Sequence, residues 1–156
     1  MTYDFDYLTQ QAALALEGVV DKQGVPLIEH SERVRDRVAL LSDPDVAAAA
    51  LFHDVLEDTP YTREDLLNLG LSERAVEIVE AVSREEGEVY MDFIARAARH
   101  PYGKLVKLAD VYDHVDPTLN RPIPDYMMQR YARTIPVLEK AAGYSTLLIH
   151  RLMDTE

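Results

Sequence analysis

The stretch SDPDVAAAALFHDVLEDT, residues 42–59, reads as a helix from its first four residues onward. Ser42-Asp43 supplies a capping side chain, Pro44 suits the first helical position, and Asp45 puts a negative charge in the first turn, where the helix dipole favours it. The helix so started is expected to carry Val46 through about Asp58. Working outward from it, helix signals recur along the whole chain, while alternating β-branched runs with hairpin turns are hard to find. The sequence therefore predicts an all-α fold.

Upstream, the alanine- and leucine-rich segment from about Tyr3 to Val19 runs into a turn at Asp21-Lys22-Gln23-Gly24. Pro26 then suits a first helical position, and Leu27, His30, Val34, Val38 and Leu41 fall at three- and four-residue spacing. His30 is thereby placed on an inward stripe, an unusual position for histidine. Downstream, Thr62 and Ser72 read as N-caps, the second opening a helix whose stripe is Ala75, Ile78, Val79 and Val82. Residues 84–88 form a polar connection. Helices follow over about Tyr90 to Arg99, Tyr102 to Val115 and Asp125 to Ala142, the last with Pro136 inside it and Gly143 as a cap. A short apolar tail closes the chain.

One domain over residues 1–156 accommodates all of this, with a core over about 8–117 and C-terminal helices over 125–152. Apolar residues make up 47% and charged residues 28% of the chain, a balance that supports a packed core. Acidic residues outnumber basic ones 28 to 16, and the formal charge of -12 argues against a nucleic-acid partner. No apolar stretch is long enough for a membrane span and no secretory signal opens the chain, so a cytoplasmic location is expected. The absence of cysteine removes disulfides, thiolate metal sites and cysteine nucleophiles together. Any metal must then be held by histidine and carboxylate.

The chemistry concentrates around His53-Asp54, with Glu57 and Asp58 one turn later. On a continuous helix His53 would stack over Glu57, and Asp54 would lie beside both Glu57 and Asp58. Three carboxylates so close repel one another, and a bound cation would resolve the conflict. A solvated acidic helix end beside a core histidine is the plainer reading of that motif alone. A second cluster adds weight to the first: Lys107, Asp110 and His114 share one face of a helix whose apolar stripe is Leu105, Leu108, Tyr112 and Val115.

The order His30, then His53-Asp54, then Asp110 resembles the H…HD…D signature of HD-domain phosphohydrolases. Pro26 to His30, Leu51 to Thr59 and Val106 to Asp110 narrow the resemblance to the hydrolase half of RelA/SpoT-type enzymes and to small hydrolases related to the metazoan SpoT homologue. It runs from about residue 8 to about 117. It implies a helical HD-domain bundle with one divalent ion on His30, His53, Asp54 and Asp110, usually manganese, and with Glu57 and Asp58 serving hydrolysis. Two imidazoles and two carboxylates equally suit Fe²⁺, Co²⁺, Ni²⁺ or Zn²⁺, and Mg²⁺ is a further option.

The implied activity is removal of the 3′-pyrophosphate from guanosine tetra- or pentaphosphate, a reaction of the stringent response, with a small nucleotide as the partner. Among basic residues near the motifs, Lys22, Arg84, Lys104 and Lys107 are candidates to hold phosphates, and Tyr90 to stack on a base. The chain departs from the family pattern at His114, where asparagine is common. There the imidazole can serve as a hydrogen-bond donor in the site or an extra ligand. No room is left for a nucleotide synthetase domain, so pyrophosphate transfer is not expected. Two other readings stay open: an HD-type nucleotidase or phosphodiesterase acting on another nucleotide phosphoester, and a non-catalytic nucleotide or metal sensor.

Overall fold

A computed structural model describes residues 2–149. Its elements are α1 (Phe5–Ala15), α2 (Leu27–Arg37), α3 (Pro44–Phe52), α4 (Val55–Asp58), α5 (Arg63–Asn68), α6 (Glu73–Ala81), α7 (Tyr90–Arg99), α8 (Gly103–His114) and α9 (Asp125–Ala142). Short 3-10 turns cover Ala39–Leu41, Pro117–Leu119 and Gly143–Leu148. Among the described residues there is no strand, only an isolated bridge between Val20 and Pro26. The all-α expectation holds; the part of the expected C-terminal helices over 150–152 lies outside the described residues. No helix among those described is long and apolar enough to cross a membrane.

The alanine-rich run makes α3 the axle of the bundle. Val46 and the consecutive residues 48–52 are buried, so this helix is apolar nearly all round and is enclosed by α1, α2, α6 and α8. Alanines keep the approach close, and Leu51 and Phe52 fill the space beyond them; truncating Phe52 to alanine would cost about 3–5 kcal/mol. Asp43 caps α3 through the backbone N–H groups of Asp45 and Val46. The same carboxylate receives the Arg74 guanidinium at 2.7 Å, tying the start of α3 to α6. α8 lies against α2, α7 and α9, and α7 against α9, which gives the second half of the core.

Several boundaries differ from expectation. α1 is shorter than Tyr3 to Val19, and Pro26 is the cap of α2 rather than its first residue. Leu41 falls on a 3-10 turn and is only partly buried. The consequential difference is that the helix expected through Asp58 breaks at His53-Asp54. The Ala50 carbonyl accepts both the His53 backbone N–H, at a long 3.5 Å, and the His53 ring Nδ1–H at 2.7 Å. That side-chain hydrogen bond competes with the helical ladder, the chain turns at Asp54, and a single further turn forms α4. His53 does not stack over Glu57 on one continuous helix.

Candidate metal centre

α2 and α8 turn polar stripes toward each other: His30, Arg33 and Arg37 on one, Lys107, Asp110, Asp113 and His114 on the other. The break after α3 delivers His53 and Asp54 to the same place. His30, His53 and Asp110 are 3%, 1% and 3% exposed, so their polar atoms must find partners within the protein.

A carbonyl oxygen only accepts, so His53 Nδ1 carries the proton toward Ala50, and in the neutral imidazole Nε2 presents a lone pair inward. Among the described residues that buried Nε2 has no hydrogen-bond partner. Facing it are Asp54 Oδ2 at 3.1 Å and Asp110 Oδ1 at 3.6 Å. His30 is oriented in the same sense: Nδ1 lies 2.7 Å from Asp113 Oδ2, and Nε2 points at Asp110 Oδ1, 2.9 Å away, with Asp54 Oδ2 at 3.8 Å. Donor atoms of His30, His53 and Asp110 lie within 4.8 Å of one another. Two imidazole lone pairs and two carboxylates thus converge, and only a proton or a cation between them makes the arrangement favourable. The residues fit a divalent ion.

The electrostatics agree. Burial opposes charge on His30, but hydrogen bonds to Asp110 and Asp113 outweigh it and raise the imidazole pKa. For His53 burial is likewise overcome, by Asp54 first and then Asp110, and the imidazole is held well above its ordinary value. Burial would raise the Asp110 carboxyl, yet Lys107 Nζ, 2.8 Å from Oδ2, and His114 Nε2, 3.1 Å from Oδ1, hold it well below the usual range. Lys107 stays charged despite its burial because Asp110 and its other neighbours favour the ammonium form.

Asp113 was not singled out by sequence reasoning. It is fully buried and receives Arg33 Nε at 2.9 Å and Arg37 Nη2 at 3.0 Å as well as the His30 ring. Arg37 reaches on to Asp116 at 2.5 Å. A carboxylate on the far nitrogen of an imidazole fixes its tautomer and increases its basicity. The available signal was spacing: Asp113 is three residues beyond Asp110, and Arg33 and Arg37 are three and seven beyond His30.

Glu57 and Asp58 stand at opposite sides of the cluster. Partial desolvation of its carboxyl raises Glu57, which accepts from the Arg84 backbone N–H at 2.5 Å. Desolvation, then the charges of Asp54 and Glu57, push Asp58 up to about 6. Asp58 borders a cavity of about 240 Å³ with an apolar wall from Val19, Leu27, Ile123 and Met127 and with Lys22 and Arg121 at its edge. Glu57 borders a polar cavity of about 190 Å³ that contains Arg84, Tyr90, Lys107 and Arg130. His114 and Tyr131, whose rings stack at 5.6 Å and 10°, belong to both.

The structure thus brings His30, His53, Asp54, Asp110 and His114 together, with Asp58 and Lys22 in the apolar cavity beside them and Glu57, Arg84, Tyr90 and Lys107 in the polar one. Lys104 lines neither cavity. Arg121, Arg130 and Tyr131 are cavity residues that sequence reasoning passed over, because they lie beyond the stretch that carries the motifs.

No family model matches the chain. It is 38% identical over 109 residues to the guanosine-3′,5′-bis(diphosphate) 3′-pyrophosphohydrolase of Haemophilus influenzae, an alignment covering 62% of this chain and 16% of that protein. With the enzyme of the same name from Aquifex aeolicus it shares 36% identity over 103 residues, covering 60% of this chain and 15% of the relative. The chain therefore spans about a sixth of the length of these curated relatives. A solved structure, described as a metazoan orthologue of SpoT that hydrolyses ppGpp and plays a role in starvation responses, superposes with a TM-score of 0.69. It shares 25% identity, and the match covers 91% of this chain and 86% of that one. In both fold and sequence the chain resembles the hydrolases of the RelA/SpoT type.

Proposed function

We propose that this chain is a manganese-dependent phosphohydrolase that removes the 3′-pyrophosphate from guanosine tetra- or pentaphosphate, leaving GDP or GTP and pyrophosphate. The observation that carries the reading is the convergence of the buried His30, His53 and Asp110 side chains with the partly buried Asp54 carboxylate, set between an apolar and a polar cavity. The names of the relatives supply the nucleotide.

His30, His53, Asp54 and Asp110 would hold the ion. When bound, it supplies Lewis-acid polarisation of the scissile phosphoryl group and activation of water at neutral pH. The rest falls to the chain's own side chains. The apolar cavity takes the nucleoside, with Lys22 and Arg121 at its edge for the 5′-phosphates. Water oxygen adds to the ribose-linked phosphorus, the bond from that phosphorus to O3′ breaks, and the attacked phosphorus departs within pyrophosphate. Glu57 and Asp58, the carboxyls open to the cleft on its two sides, take the proton that water loses and return one to O3′. Asp113 holds His30 in the tautomer that the site needs, and Lys107 keeps Asp110 ionised.

The deciding experiment is hydrolysis of guanosine 3′,5′-bis(diphosphate) by purified protein with added manganese, following pyrophosphate and phosphate separately, with Asp54→Asn as control. Pyrophosphate release that disappears, together with bound metal, in the control is the expected result. Release of phosphate alone would replace the reading with a nucleotidase. Tight guanine-nucleotide binding without product would replace it with a sensor.

A further inference from the structure

The polar cavity beside the cluster contains a guanidinium that the hydrolytic reading has not used. Of the described arginines whose side chains are partly or wholly buried, Arg33, Arg35, Arg37, Arg63, Arg74, Arg96 and Arg121 all reach a carboxylate within ion-pair distance. Arg130 is the exception among the described residues. In a chain of 28 acidic and 16 basic residues, a partly buried arginine without a carboxylate is unusual and needs an account. Arg130 extends from α9 over the Tyr90 ring, its Cζ 4.3 Å from the ring centroid. Arg84 Cζ lies 5.5 Å from the same ring, and its Nε donates to the Glu88 carbonyl at 2.9 Å. The aromatic ring thus presents two guanidinium groups in one cavity with Asp54, Glu57, Lys107 and Asp110. Lys107 is committed to Asp110, and Glu57 accepts from the Arg84 backbone, so the side chains of Arg84 and Arg130 are the positive groups left to meet a ligand.

The geometry points to Arg130, with Arg84, as a receptor for the distal phosphoryl group of a pyrophosphoryl substituent, which makes Arg130 a residue that selects diphosphoryl over monophosphoryl substrates. The inference rests on the proposed phosphohydrolase reading for where the scissile phosphorus sits, next to Asp110 and Asp54. From there the distal phosphoryl group, which stays joined to the attacked phosphorus and leaves with it, extends into the polar cavity toward Arg84 and Arg130. A planar guanidinium matches two phosphate oxygens at once, and its contact with Tyr90 holds it in place before the ligand arrives. A monophosphate at the cluster lacks the second phosphoryl group that would engage it.

The test is titration calorimetry of manganese-loaded protein with inorganic pyrophosphate and with inorganic phosphate, for wild type, Arg130→Gln and Arg130→Lys. Wild type is expected to bind pyrophosphate more tightly than phosphate. Arg130→Gln should weaken pyrophosphate about tenfold, the loss of one charge-assisted hydrogen-bonding group, and leave phosphate within about twofold. Arg130→Lys should recover part of the loss, because the charge returns without the fork. Arg84→Gln provides a second variant on a different element, expected to act in the same direction. Equal pyrophosphate affinity in wild type and Arg130→Gln, equal weakening of both anions, or no pyrophosphate binding by wild type would each overturn the inference. The two proposals fail separately. If guanosine tetraphosphate is not hydrolysed yet Arg130 governs pyrophosphate affinity, the receptor stands; if it is hydrolysed and Arg130 is indifferent to pyrophosphate, only the receptor falls.

Discussion

Replacing Asp113 with asparagine tests whether the metal cluster is held from behind. The substitution keeps shape and volume but removes the charge that His30 Nδ1, Arg33 and Arg37 share. Loss of a carboxylate behind a ligating imidazole typically weakens metal binding about 10- to 100-fold, which is about 1.4 to 2.8 kcal/mol. Stability should fall as well, because Arg37 is buried. Removing one partner of a buried ion pair costs about 3–5 kcal/mol, and Asp116, still 2.5 Å from Arg37, places this case near the lower end. At that size a loss of about 3 kcal/mol lowers Tm by roughly 6–12 °C. Calorimetric titration with MnCl₂ measures the first effect, and thermal unfolding in EDTA isolates the second from metal. The acid limb carries a further sign. Burial opposes ionisation of Asp113, but His30 and Arg33 hold its carboxyl far below the ordinary 3.8, so its stabilisation is complete above that value and lost as pH falls beneath it. Asp113→Asn should lack this part of the acid sensitivity. A folded variant that binds manganese as tightly as wild type would refute the orienting role.

Metal binding should strengthen as pH rises and should release protons, because His30 and His53, both raised, must lose theirs before coordinating; titrations in buffers of different ionisation heat would reveal the protons, and a pH-independent affinity would count against these ligands. In the metal-free protein the same protons stabilise the fold below the ordinary 6.5 and stop doing so once pH exceeds the raised values. Asp58, which titrates near 6 without metal, should shift downward when the ion binds, since a nearby cation favours the carboxylate; carboxyl NMR titration with and without metal checks this, and an unmoved midpoint would place the ion elsewhere. His114→Asn should retain metal, weakened by less than about tenfold, while changing KM more than kcat, because His114 borders both cavities; loss of metal would instead make His114 a ligand.

Most helices were legible because their ends are chemically marked. Thr62 and Ser72 cap where the sequence places them, α7 runs from Tyr90 to Arg99, and α9 from Asp125 to Ala142. The break at His53-Asp54 was not, because it depends on an imidazole competing for the Ala50 carbonyl, and helical periodicity contains no sign of that competition. Of the site, the residues expected as ligands were readable as an ordered motif and do converge. Asp113 was hidden by its residue type: a lone aspartate late in a helix usually faces solvent, and only the approach of α2 makes it the hub of His30, Arg33 and Arg37. Arg130 was hidden by distance, since nothing within α9 indicates that its side chain crosses to Tyr90 on α7.

On the proposed reading, a chain of net charge -12 would have to overcome its own long-range field to bind a nucleotide with several phosphates, and the arrangement of cations offers a way. Fields from charges spread over the surface are screened over about 10 Å at moderate salt, so they repel a polyanion only weakly once it reaches the cleft. Within the cleft, contact-range cations would dominate: Lys22 and Arg121 on the proposed nucleoside side, Arg84 and Arg130 on the other, with Lys107 committed to Asp110. Between the two sets the carboxylates Asp54 and Asp110 would repel a phosphoryl group at the very point where it must react. A divalent ion at that point reverses the local sign. On that reading metal binding and substrate binding would be coupled: without the ion the two cavities flank a repulsive centre, and with it they would become the two ends of one continuous anion site.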